Sequence, residues 1–162
     1  PIIRALIDAE IPVMGHIGLT PQSVHAMGGY KVQGRGLEAA YALMDDARAL
    51  ADAGVFSIVL EGVPDVVAEI ITAEVPVPTI GIGAGAQCDG QVLVFHDVLG
   101  LHDGHLPKFV RKYADLADTA VAALQSFFAD VQSGAFPADE ETYHVKDEVA
   151  AELREGRPPS DG

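Results

Sequence analysis

Cysteine is almost missing from this chain of 162 residues: Cys88 stands alone. A single thiol excludes an intramolecular disulfide and agrees with a reducing, cytoplasmic setting. Basic residues are scarce too, with 10 Lys and Arg against 24 Asp and Glu, for a net charge of -14. No basic surface accumulates against such an excess, which argues against a nucleic-acid partner. No apolar run approaches the roughly 18 residues of a membrane-spanning helix. The first residues also lack a basic stretch followed by an apolar one. A membrane partner is therefore not expected. Internal repeats and low-complexity linkers are missing as well. The acidity that remains implies solubility and a solvated tail rather than a particular substrate.

What the chain does have is 49% hydrophobic residues, enough to build the core of one domain of this length. Four short apolar stretches recur: Ile11–Gly18, Val55–Glu61, Val77–Gly83 and Gln91–Asp97. Each reads as a strand, and Pro12 and Pro78 suit strand beginnings. Between the first two, Leu37, Ala40, Met44, Ala47 and Ala51 fall on one helical face, and Gly54 is the expected stop. After Pro64, Val67, Ile70 and Ile71 repeat at helical spacing until Pro76 bars continuation. A longer helix is expected over about 107–132, with Val121, Leu124, Phe128 and Val131 aligned and Asp115 to Asp118 as a point of interruption. Ile2, Ile3, Leu6 and Ile7 form an uncapped apolar stripe, as though the chain opened inside a helix.

Strand–helix–strand alternation predicts parallel strands joined by right-handed crossovers. The fold class is α/β, either a small open sheet or part of a barrel. Four such units are about half of a (β/α)8 barrel, which takes roughly 250 residues. Periodicity fades after Phe136. Residues 1–137 read as the barrel portion and 138–162 as an acidic tail, with eight acidic residues against three basic ones from Ala138 onward. Val145 to Leu153 is the one helical stretch expected in that tail, and residues 157–162 read as disordered.

Glu61 is the leading catalytic candidate. It ends an apolar strand that reads as covered on both faces, and ligands of parallel sheets bind beyond the carboxyl ends of the strands. A carboxylate held there, partly out of water, is a usable proton acceptor. The alternative is a structural pairing with a Lys or Arg from a neighbouring loop. His16 lies at the same end of the first strand, in Gly15-His16-Ile17-Gly18, so the two residues can face one pocket. A histidine there donates a hydrogen bond to a substrate or moves a proton. The alternative is a core histidine bonded to a backbone carbonyl.

Other motifs say less. Gly28–Gly36 carries Lys31 and Arg35 on a glycine-rich connection that is either a lid for an anionic substrate or an ordered loop with paired cations. Gly81-Ile82-Gly83-Ala84-Gly85 resembles a phosphate cradle without the Gly-Lys-Ser/Thr of a P-loop, and its glycines let the backbone approach a flat ligand or a neighbouring strand. His96, His102, Asp103 and His105 match no strong metal signature. Cys88 reads as a loop thiol rather than a nucleophile.

Taken in order, Gly15–Gln22, Gly28–Gly36, Leu60-Glu61-Gly62-Val63-Pro64, Ile80–Gly85 and Asp89–Val94 resemble the ketopantoate hydroxymethyltransferase family. Gly134–Glu140 is similar to that family's C-terminal ending, so the resemblance covers roughly residues 1–144. It implies the C-terminal half, strands five to eight, of a magnesium-dependent (β/α)8 TIM barrel of pantothenate biosynthesis that assembles as a homo-oligomeric decamer. It implies a small 2-oxo acid, 3-methyl-2-oxobutanoate, as substrate, and the folate 5,10-methylenetetrahydrofolate as one-carbon donor. Glu61 corresponds to the family's proton acceptor and His16 to the histidine beside the new hydroxymethyl group. Gly62 departs from the bulkier residue common there. The family's Mg2+ ligands precede Pro1, so the resemblance assigns no metal ligand to this chain and implies that it is inactive alone. Two other readings stay open: a different enolate-forming barrel enzyme of 2-oxo acids, and a non-catalytic remnant serving as an assembly module.

Overall fold

Helical and strand periods alternate along the first hundred residues, and the secondary structure follows them. A computed structural model describes residues 1–23, 32–102, 104 and 106–156. The chain forms two compact units, Pro1–Asp115 and Leu116–Gly162. In the first, α1 (Ile2–Asp8) leads to β1 (Met14–Gly18), α2 (Leu37–Ala53), β2 (Ser57–Glu61), α3 (Asp65–Glu74), β3 (Thr79–Ile82), β4 (Gly90–Gln91) and the single turn α4 (Phe95–Val98). In the second, α5 (Ala117–Ser133) precedes α6 (Asp147–Glu155).

The four strands pair in the order β1-β2-β3-β4, all parallel. The α/β class is therefore observed directly. In the register, Gly15 lies beside Ile58, Ile17 beside Leu60, and Leu60 beside Gly81. Because strand side chains alternate, these residues share one face of the sheet. That face is the core. Ile58 and Leu60 are fully buried, packed in one cluster with Ala40, Met44 and Ala47 of α2 and Val67, Ala68 and Ile71 of α3. The helical spacing of those α2 residues is what turns them together towards the sheet. Gly54 ends α2 in a left-handed conformation, φ 95°, and Arg48 straps α2 to α3 with hydrogen bonds of 3.1 and 2.6 Å to Glu74 Oε2.

The opposite face carries Met14, His16, Val59 and Glu61 and is more open. Met14 is 47% exposed. The expectation that β2 is covered on both faces thus holds only in part, with Val59 and Glu61 half-buried.

A part-buried polar bracket fixes the start of β3. Asp89 Oδ2 accepts from Thr79 N–H at 2.8 Å and from the Thr79 hydroxyl at 3.2 Å. Thr79 Oγ1 also lies 2.8 Å from Thr72 Oγ1 of α3. Thr79 is completely buried, so each of these bonds replaces water that cannot reach it.

Two expected elements differ. The fourth strand, expected over Gln91–Asp97, is only Gly90–Gln91. Val92 N–H still reaches Gly81 O at 3.0 Å, but β3 ends at Ile82 and the chain turns away at Gly83. Leu93 onward has no ladder left to join, and Phe95–Val98 coils instead. The long helix begins at Ala117, ten residues later than expected. The preceding stretch is held otherwise: Tyr113 and Ala114 donate backbone hydrogen bonds to Val98 O at 2.8 and 3.3 Å. The interruption expected at Asp115 to Asp118 is in effect the helix start.

Within the second unit, Val121, Leu124, Phe128 and Val131 do align on one face of α5, yet every residue of that helix escapes burial. The rings of Phe127 and Phe136 meet edge to face at 5.5 Å. The helix expected in the tail is present as α6; residues 157–162 lie outside the described residues. No helix among the described residues is long and apolar enough to cross a membrane.

Leu60→Ala should lower the unfolding free energy by about 2–5 kcal/mol, since it opens a cavity between the sheet, α2 and α3. Leu124→Ala, on the exposed stripe of α5, should change it by within about 0.5 kcal/mol in the unassociated chain. Urea unfolding of both variants checks the contrast.

Candidate active site at the carboxyl ends of the strands

β1 and β2 run parallel and in register to their last residues, so Gly18 of one lies beside Glu61 of the other. His16 pairs with Val59, two residues short of that end and on the same face as Glu61. Long side chains reach such diagonal neighbours across a strand pair. Here the imidazole Nε2 sits 3.1 Å from Glu61 Oε2. With its proton on Nε2, the ring donates to the carboxylate. The His16 side chain is 34% exposed and that of Glu61 14%. The pair is thus sheltered but reachable, and among the described residues the ion-pair partner of Glu61 is this histidine.

The backbone around Glu61 is held from three sides. Leu19 N–H donates to Glu61 O at 2.7 Å, Gly62 N–H donates to Ile82 O at 2.9 Å, and Gln33 N–H donates to Gly62 O at 2.9 Å. Segments from β1, β3 and the connection before α2 therefore converge on one turn. None of these contacts has a local sequence signal, because each joins residues at least 20 positions apart.

A cleft of about 360 Å³ opens beside His16, lined by Gly18, Thr20, Gln33, Leu43 and Asp46 among others. It runs along β1, an edge strand of the sheet. Thr20, Gln33 and Asp46 were not candidates on sequence grounds. They have no common motif and meet only because α2 folds back over the end of β1.

The other candidates are placed as follows. Gly83 and Gly85 of the glycine-rich turn are approached by the Phe109 ring and by Asp65, and the Gln91 amide donates to Gly85 O at 2.8 Å. The backbone there meets a flat side chain and a neighbouring strand. Cys88 is buried and unpaired. His96 touches the Phe95 ring edge-on at 5.8 Å. Arg35 is exposed. Among the described residues no three His, Cys, Asp or Glu side chains are grouped to hold a metal ion. Lys31, Asp103 and His105 lie outside the described residues.

Comparison with known proteins adds the following. Residues 1–139 match the family described as Ketopantoate hydroxymethyltransferase. A protein of Syntrophomonas wolfei named 3-methyl-2-oxobutanoate hydroxymethyltransferase is 57% identical over 151 residues, 93% of this chain and 55% of that protein. Proteins of the same name from Koribacter versatilis and Nitratidesulfovibrio vulgaris are 58% and 60% identical over 94% and 91% of this chain, and 52% and 48% of their own lengths. The chain spans about half the length of the curated relatives it matches.

Proposed function

The chain belongs to the ketopantoate hydroxymethyltransferase family, and from that premise we propose that it carries the proton-accepting half of a hydroxymethyl-transfer site. The substrate is 3-methyl-2-oxobutanoate, the one-carbon donor is 5,10-methylenetetrahydrofolate, and the product is 2-dehydropantoate. The observation that carries the reading is the His16–Glu61 pair, 3.1 Å apart at the carboxyl end of a parallel sheet.

Glu61 takes the proton from C3 of the 2-oxo acid, and the electron pair of that C–H bond moves into an enolate. C3 of the enolate then bonds to the methylene carbon of the donor. Water supplies the hydroxyl oxygen, and the two carbon–nitrogen bonds of the donor break. The freed nitrogens take up the proton held by Glu61 and the remaining proton of that water, which releases tetrahydrofolate and restores the Glu61 carboxylate. The His16 N–H, directed at Glu61 Oε2, orients the carboxylate and leaves Oε1 to meet the substrate. Once Glu61 is protonated and no longer needs that N–H, the same imidazole is the proposed donor to the oxygen of the new hydroxymethyl group.

Magnesium does not fit the described residues of this chain. It requires an oxygen-rich, near-octahedral set, whereas Glu61 Oε2 faces an imidazole and the described residues hold no cluster of ligands. No step is assigned to a metal bound by these residues. The reading instead makes residues 1–137 half of a TIM barrel with residues 138–162 an acidic tail. The cleft along the free edge of β1 is where a preceding strand would complete the wall. The reactants then meet this chain only when the other half is present, and the whole assembles as a homo-oligomer.

A second reading, as an assembly module, is favoured by one observation: α5 presents Leu124 and Phe128, 57% and 61% exposed, on a single stripe. Contiguous apolar surface of this kind marks association.

Three measurements test these readings. When the chain is supplemented with the residues that precede it in its relatives, Glu61→Gln should slow C3 proton exchange of 3-methyl-2-oxobutanoate by about 10²–10⁴-fold, the usual worth of a general base. An unaltered rate would remove Glu61 from the role, and turnover independent of tetrahydrofolate would point to another enolate-forming enzyme. His16→Ala should impair hydroxymethyl transfer more than exchange; equal losses would mark a structural histidine. By itself the chain should turn over nothing and sediment as more than a monomer, and adding the preceding half in trans should bring magnesium-dependent turnover. A monomeric profile with a cooperative melt would count against the half-barrel.

A further inference from the structure

We infer that Gly18 is a positioning residue for Glu61, setting the direction of its carboxylate through the Glu61 peptide group; this rests on the reading of Glu61 as proton acceptor. Gly18 has φ 91°, a conformation that side-chain-bearing residues rarely adopt. Steric space is the stronger restriction. A Cβ on Gly18 would collide with the Glu61 carbonyl oxygen and would lie 2.7 Å from Val63 Cγ2 and 3.2 Å from the Glu61 carbonyl carbon. Two of those atoms are backbone and cannot rotate away.

The absence of a side chain lets the end of β1 lie directly against the end of β2. Only in that arrangement does the next N–H, that of Leu19, reach Glu61 O at 2.7 Å. The same peptide group is fixed from the other side by its own N–H, that of Gly62, donating to Ile82 O at 2.9 Å. The peptide group that leaves Glu61 is therefore held from both sides, its C=O by the residue after β1 and its N–H by β3. The Cα–Cβ vector of Glu61, and with it the 3.1 Å approach to His16, follows from that clamp. A side chain at position 18 must push the Glu61 peptide away, and the carboxylate swings with it. Gly54 provides a matched comparison. It has φ 95°, yet a Cβ there would meet only the Ile7 side chain, at 3.4 Å or more. Gly54→Ala therefore shares the positive φ of Gly18→Ala without its collision.

Hydrogen exchange of the full chain, read by mass spectrometry, tests the clamp. In the unsubstituted chain the Leu19 and Gly62 amides should be protected like those inside β2. Exchange as fast as that of exposed amides would overturn the proposal with no variant needed. In Gly18→Ala both amides should lose protection by about tenfold or more, whereas Gly54→Ala should leave them protected. Supplemented with the preceding half, Gly18→Ala should lower kcat for C3 proton exchange by up to about 10²-fold, the cost of a small misplacement of a reacting group. The KM for the oxo acid should stay near its original value, and Gly54→Ala should keep both constants. Equal amide protection in Gly18→Ala and the unsubstituted chain, or a loss confined to KM, would overturn it. An unaltered exchange rate in Glu61→Gln would instead sink the proton-acceptor reading, leaving the amide result to stand or fall separately.

Discussion

The hydrogen bond from Leu19 N–H to the Glu61 carbonyl is the joint on which the functional end of this chain depends. It closes the parallel register of β1 and β2 at its last step, where Gly18 lies beside Glu61. A parallel ladder has evenly spaced bonds, so its final bond fixes how far each strand end projects. At this sheet that projection decides whether a histidine on one strand and a glutamate on the next can touch. Gln33, bonded to Gly62 O, carries the constraint on into the connection before α2.

The rest of the molecule supplies a rigid base for that joint. Stability is concentrated on one face of the sheet, where Ile58, Leu60 and Ile71 are almost wholly removed from water among small residues such as Ala47 and Ala68. Small helix residues let α2 and α3 approach the strands closely, and close packing leaves the strand ends little freedom. Beneath β3, the Thr72–Thr79–Asp89 bracket adds direction that apolar packing lacks. The other face of the sheet, with half-exposed Met14 and the His16–Glu61 pair, is where polar chemistry has access. The chain thus divides its two sheet faces between an apolar core and a more open, polar surface.

Much of the candidate site was legible beforehand. Glu61 was marked by an apolar strand ending in a carboxylate, and His16 by its place at the same end of a parallel strand. Thr20 and Gln33 lie in segments that carry the family resemblance and Asp46 in none, and nothing local marks the three as one cleft, because they lie on different segments that only folding gathers. The failures in the fold are just as physical. Leu93 to Asp97 has the apolar content of a strand, but a strand exists only where a neighbour offers hydrogen bonds, and β3 stops at Ile82. The stretch 107–116 was expected to open the long helix, but Tyr113 and Ala114 bond Val98 O instead.

The sequence by itself determined the kinds of element, the face of each that seeks burial, the parallel α/β class and the pair of residues able to do acid–base work. These are local properties: period, turn residues and side-chain chemistry act over a few positions. Only the tertiary structure decided that His16 and Glu61 meet at 3.1 Å, that β4 is two residues long, and that the apolar stripe of α5 stays exposed. Those outcomes depend on register and packing between segments far apart in the chain, where the position of each atom is set by its neighbours in space.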